Sequence, residues 1–237
     1  MNTGELLTTV RNRLNDAVKG SSAPYWSDTE LIDDYANKAR NRLFLIVRRF
    51  TIDSSTASDS EIVPLPLCAL PVVAGTSTYA LSQKILGITR LSLASQNKQL
   101  KPIVASELDD ECPGWQSLPA GVPWAYCPDL QSDSVVFIPA PIADDTANLT
   151  VYRMPLARLA KSTPSGSLGF REEYHDDLIP WIQYLAFSKQ DSEVYNPQLA
   201  ETHRKVFIDR AEEIKMEIYR RVTPAHGTSM RRGCSTR

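Results

Sequence analysis

The residues of this chain best suited to chemistry are three histidines and the acids around one of them. His175 sits among Glu172, Glu173, Asp176 and Asp177, a set that could ligate a metal or relay protons. The spacing argues against that use. Glu173 and Asp177 are four apart, no second histidine follows at i+4, and acids gather at helix starts because the macrodipole favours them there. An acidic helix start is therefore the better reading. His203 falls near the apolar face of a later helix, where packing accounts for it, and His226 lies in a polar tail. No nucleophile elbow of the G-x-S-x-G type occurs, and Gly166 and Gly169 lack the lysine and hydroxyl residue of a phosphate loop. Cys112 stands beside acids that disfavour its thiolate. These residues assign no catalytic role, no metal and no cofactor, and the chain is not expected to be an enzyme.

Charged and aromatic residues offer more. Lys38, Arg40, Arg42, Arg48 and Arg49 lie along one predicted helix. They read either as a solvated face or as part of a subunit interface. From Ile218 onward the chain has five arginines (Arg220, Arg221, Arg231, Arg232, Arg237) and no acid. That end either solubilises the chain or docks on an acidic partner, since arginine forks pair with carboxylates. Glu107, Asp109, Asp110 and Glu111 form an acidic run without a base. Trp115, in a Pro-Gly loop, is the aromatic best placed for exposure to a partner, ahead of Trp124 and Tyr126.

The elements that hold these residues follow from hydrophobic period. Leu6, Leu7, Val10, Leu14 and Val18 predict a first helix over about 4–18 with Thr3 as a possible cap. Ser27 then caps a second helix over about 28–49, with Glu30 closing a capping box and Trp26 and Leu31 forming a staple. Residues 51–75, rich in Ser, Thr, Asp and Pro, read as a loop. Short strands are expected at 78–81, 85–93, 99–104, 124–127, 134–138 and 149–154, as in a small antiparallel sandwich or barrel. Helix resumes near Arg171, with Pro180 marking a kink or a later start. Asn196-Pro197 caps a last helix to about Arg221, with Leu199, Val206, Phe207, Ala211, Ile214 and Ile218 on its apolar face.

The expected fold class is α+β. Residues 1–50 and 171–221 make a four-helix layer, 51–170 an inserted antiparallel β domain with flanking loops, and 222–237 an extended basic C-terminal arm. A chain of 237 residues with 42% hydrophobic and 23% charged content can bury a core of this kind. No secretory signal is read at the N-terminus. The longest apolar run, 65–75, is broken by Pro66 and Pro71 and falls short of the roughly 20 residues that span a bilayer. Cys68, Cys112, Cys127 and Cys234 form no C-x-x-C pair, so folding in a reducing cytoplasm is expected.

Several of these pieces recur together. Trp26-Ser27-Asp28 with Leu31 follows the first helix, and Gly121-Val122-Pro123 with Tyr126 precedes Val136-Phe137-Ile138-Pro139-Ala140-Pro141. Glu173-Tyr174-His175-Asp176-Asp177-Leu178-Ile179, Ala186-Phe187-Ser188 and an Ala200 to Val206-Phe207 helix complete the series. In order and spacing, over roughly residues 5–220, the chain resembles head-to-tail adaptor (head-completion) proteins of tailed bacteriophages, notably short-tailed ones.

The resemblance implies a virion neck protein: a homo-oligomeric ring, commonly of twelve copies, docked under the portal protein. The ring would prolong the channel for double-stranded DNA without sequence-specific binding and present a surface to the tail tube or nozzle. It implies Arg220, Arg221, His226, Arg231, Arg232 and Arg237 for portal binding. Lys38, Arg40, Arg42, Arg48, Arg49, Glu172 and Glu173 fall to the interface or channel, and Asp109, Asp110 and Trp115 to the tail side. Two other readings stay open: a DNA-binding packaging accessory that uses the arginine-rich end, and a tail-completion protein.

Overall fold

The computed structural model describes residues 1–16, 24–55, 67–96, 98–128, 133–190 and 194–222. The first apolar stripe folds as α1 (Thr3–Leu14) and buries Leu6, Val10 and Leu14. Its cap is Asn2 rather than Thr3: the Asn2 side chain accepts from the Glu5 amide, and the Glu5 carboxylate accepts from the Asn2 amide. Asn15, left-handed at φ 56°, closes the helix, and Val18 lies outside the described residues.

The second helix begins where the capping signal predicts. Ser27 Oγ accepts from the Glu30 amide at 3.1 Å, and Trp26 and Leu31 are both buried in the helical core. The capping box stays half closed, because the Glu30 carboxylate takes the Tyr35 hydroxyl (2.5 Å) and Lys189 (3.1 Å) instead. Replacing Ser27 by Ala should cost about 1 kcal/mol, and a thermal midpoint that stays in place would contradict the cap. A π segment, Glu30–Ala36, leads into α2 (Asn37–Val47). Its cause is visible: the Asn37 side-chain amide takes the carbonyls of Ile32 and Asp33 at 3.1 and 3.0 Å. The same amide reaches Leu159 O at 2.8 Å, tying this helix to the chain that returns from the sheets.

The β region forms two sheets. The strands are β1 (Ile52–Asp53), β2 (Ala69–Val72), β3 (Thr78–Ala80), β4 (Ile85–Leu93), β5 (Lys101–Pro102), β6 (Ala125–Pro128), β7 (Ser134–Ile138) and β8 (Asp145–Arg153). In the first sheet β4 runs antiparallel along one edge of β8, while β1 and β2 share its other edge end to end. The second sheet has the order β3-β7-β6-β5, with β5 parallel to β6. Two expectations are thereby corrected. Residues 51–75 contain β1 and β2, where Pro71 is tolerated because β2 is an edge strand. The stretch between the expected strands at 99–104 and 124–127, for which no helix is expected, contains α3 (Ala105–Glu111).

Three apolar clusters hold the fold. The first joins α1, the second helix, α4 (Ile179–Ser188) and α5 (Pro197–Val222), elements from both chain ends. The second lies between the sheets and takes Val135 and Phe137 of β7 with Leu91, Leu149 and Val151. The third takes the other face of β7, Val136 and Ile138, against Leu108 of α3 and Trp115. Pro180 falls in the first turn of α4 and breaks no helix, because two 3₁₀ turns (Glu172–Tyr174 and Asp176–Leu178) precede it. Asn196 caps α5 as expected, accepting from the Leu199 amide at 3.1 Å. The buried face of α5 is Ala200, Phe207, Ala211, Ile214 and Ile218, whereas Leu199 and Val206 are exposed. The architecture is α+β.

Candidate functional site

The acidic turn around His175 is dispersed. His175 is buried, its Nε2 is 2.9 Å from the Phe170 carbonyl, and its ring meets Phe170 edge-on. Its neighbouring acids face different cations. Glu172 takes the Met1 ammonium at 2.5 Å, Glu173 takes Arg221 at 2.9 Å, and Asp177 takes Arg210 at 3.1 Å. The ammonium holds the Glu172 carboxyl below its ordinary range, and Arg221 does the same for Glu173. No three His, Cys, Asp or Glu side chains converge among the described residues. His203 stacks on Phe187 with centroids 5.8 Å apart, and burial lowers its pKa. Cys68 and Cys127 are buried, and burial pushes the Cys68 thiol up to about 11.

Asp177 behaves unlike its neighbours. Burial raises its pKa despite Arg210, and its Oδ2 is buried without a hydrogen-bond partner. A carboxyl whose folded pKa exceeds its unfolded one opposes folding once ionised. That cost is absent below the ordinary aspartate pKa and complete above the raised one. Arg210 keeps Glu213 at 2.9 Å if Asp177 is neutralised. Asp177→Asn should therefore match the wild type in stability at acid pH and exceed it near neutrality. Denaturation across pH checks this, and a variant less stable at pH 7 than the wild type would contradict it.

The basic residues of α2 separate by position. Arg40 is a correction to any surface role: it is buried, and its guanidinium reaches Ala157 O (2.7 Å), Leu168 O (3.3 Å) and Asn37 Oδ1 (3.1 Å). Its spacing is the signal that sequence reasoning missed, since it falls four residues after Ala36 and three before Leu43, both fully buried. Lys38 pairs with Asp34 one turn away at 2.8 Å. Arg42 lies over the Trp181 ring, 5.7 Å from its centre. Arg48, left-handed at φ 59°, ends the helix and is exposed. Arg49 lies over two rings, Tyr219 at 4.2 Å and Tyr152 at 5.4 Å.

At the C-terminal end Arg220 is exposed, and Arg221 is engaged by Glu173 and Glu217 of its own subunit. His226, Arg231, Arg232 and Arg237 lie outside the described residues. In the β region Trp115 is corrected from exposed to buried, with its Nε1 donating to Asp109 at 2.9 Å. Asp110, the next residue of α3, is exposed. The exposed apolar surface lies elsewhere. Gly121 N donates to Ala140 O, Ile142 N to Gly121 O, and Gly75 N to Pro141 O, which knits three loops into one end of the β region. That end displays Val73, Val122, Trp124 and Ile142, at 54, 61, 42 and 65% exposure. Four exposed apolar residues on loops tied together in this way are a candidate contact surface.

No helix among the described residues is long and apolar enough to cross a membrane. No curated protein matches the chain. The match to the SU10 adaptor protein family spans residues 1–232, both helical ends and all the β structure between them, and the chain belongs to that family of phage head-to-tail adaptors.

Proposed function

We propose that the chain is a structural protein of the virion neck that docks under the portal protein as a ring of twelve and receives the tail. The family match across residues 1–232 carries this reading. The helical layer forms the ring body, and the exposed end around Val122, Trp124 and Ile142 meets the tail tube or nozzle. Residues 222–237 form the basic arm that grips the portal. The channel passes double-stranded DNA without holding it. Each phosphate contact would add salt-dependent affinity that slows passage, and a net charge of −2 suits a conduit better than a DNA-binding module. The free chain stays monomeric or weakly associated, and ring closure waits for the portal to gather the copies.

Native mass measurement of purified portal rings mixed with the chain tests this. The expected result is portal plus twelve copies, with the free chain at monomer mass in dilute solution. A portal that takes up no chain, or a stable dodecamer formed without it, would overturn the proposal.

A further inference from the structure

Charge is divided along this sequence more sharply than its sum suggests. Between Lys101 and Arg153 there are eight carboxylates and no lysine, arginine or histidine. From Asn37 to Phe50 there are five bases and no acid. The structure gives each run one accessible feature. A recess of about 300 Å³ opens where the end of α2 meets the sheets, lined by Arg48, Arg49, Leu86, Ile88, Tyr152 and Tyr219. Neither arginine pairs with a carboxylate among the described residues. The Arg49 guanidinium lies over the Tyr219 and Tyr152 rings, contacts that leave its charge without a carboxylate partner. Lys215 also lines the recess but is held by Glu212 at 2.9 Å.

The complementary feature is α3. Leu108, fully buried, and Trp115 anchor it to the outer face of the second sheet. Glu107, Asp110 and Glu111 then share its exposed side at i, i+3 and i+4, and none of them pairs with a base among the described residues. Val104, the residue that caps α3, is 60% exposed beside them. An apolar residue with carboxylates at its rim matches a recess with an apolar strand wall and arginines at its mouth.

We propose that the recess at Arg48 and Arg49 receives the acidic face of α3 from a second copy of this chain. The inference deepens the ring reading and rests on it. Because the two surfaces differ, the contact is heterologous, the kind that closes into a ring when the rotation permits. Pairing like surfaces would oppose acid to acid or base to base. Charge complementarity of this type sets register and speeds encounter, and it weakens as salt screens it.

Reversal of each side, then of both, tests the contact in the full chain. Sedimentation equilibrium at high protein concentration and low salt reads the self-association. Arg48→Glu with Arg49→Glu, and separately Glu107→Lys with Asp110→Lys and Glu111→Lys, should each weaken association at least about tenfold. The variant that carries all five changes should return to within about threefold of wild type. Failure of that rescue, or a wild type whose association ignores salt, would overturn the proposal. So would a loss of duplex DNA binding by Arg48→Glu/Arg49→Glu with association unchanged, because the recess would then hold phosphate. Docking of single copies on purified portal rings, measured on the same proteins, should stay unchanged. Its absence in the wild type would remove the adaptor reading while leaving the self-association result to stand.

Discussion

Removal of residues 223–237 is expected to weaken portal docking at least about a hundredfold while leaving the fold intact. The cut falls beyond Ile218, the last core residue of α5, so no buried contact among the described residues is lost. Midpoint temperature should change by no more than about 2 °C, the equivalent of less than roughly 1 kcal/mol in a chain of this size. The binding loss should be large. The removed segment carries Arg231, Arg232 and Arg237 and no acid. Arginine–carboxylate hydrogen bonds contribute roughly 1.5–3 kcal/mol each, so even two lost pairs predict at least about a hundredfold weaker docking. Fully extended, a segment of these 15 residues would span about 50 Å, enough to cross onto a neighbouring protein. Binding isotherms on portal rings check the affinity, and thermal unfolding checks the fold. A truncated chain that unfolds early would mean that the segment packs on its own subunit, against the account.

Trp26→Ala should give the largest loss of stability of any single change at the helical layer. Trp26 is 2% exposed and meets Phe187 edge-on at 6.1 Å. It therefore couples the start of the second helix to α4, which arrives from the other end of the chain. Large-to-small changes of a buried aromatic cost about 3–5 kcal/mol, a fall of roughly 6–20 °C for a chain of this length. Nearby polar contacts add to the effect. Arg11 donates to the Trp26 carbonyl at 3.0 Å and pairs with Asp28, while Asp16 accepts from the Tyr25 amide at 2.9 Å. Trp26→Phe makes the control. It keeps an aromatic edge and removes an indole N–H that has no acceptor, so it should cost less than half as much. Equal losses for both variants would show that the position is tuned to indole rather than to aromatic packing.

How much of this was legible in the sequence depends on whether a signal was local. The caps at Ser27 and Asn196 were, because a cap is written in three or four consecutive residues. The strands at 85–93 and 134–138 were, because β-branched and aromatic residues crowd them. The strands of 51–75 were hidden, since β1 is two residues long and β2 contains a proline that only an edge position forgives. The helix α3 was hidden by its acids, which show no apolar period until Leu108 and Trp115 are seen to share a cluster. Trp115 shows the general difficulty. A Pro-Gly loop suggests exposure, but burial is decided by which sheet face lies beneath it, and that depends on pairings some 20 residues away. Arg40 fails in the opposite direction: its charge suggested solvent, although its period placed it inside. The exposed Trp124 carried no local mark at all, because an aromatic beside a strand start reads equally well as core.

Cryo-electron microscopy of the intact virion neck reads the central claim directly. The account predicts a ring of this chain between portal and tail, with helical layers forming its wall, the Trp124 end toward the tail, and residues 223–237 of each copy laid on the portal. Density for the chain away from the neck, or a neck ring whose C-terminal segments fold back onto their own subunits, would contradict it.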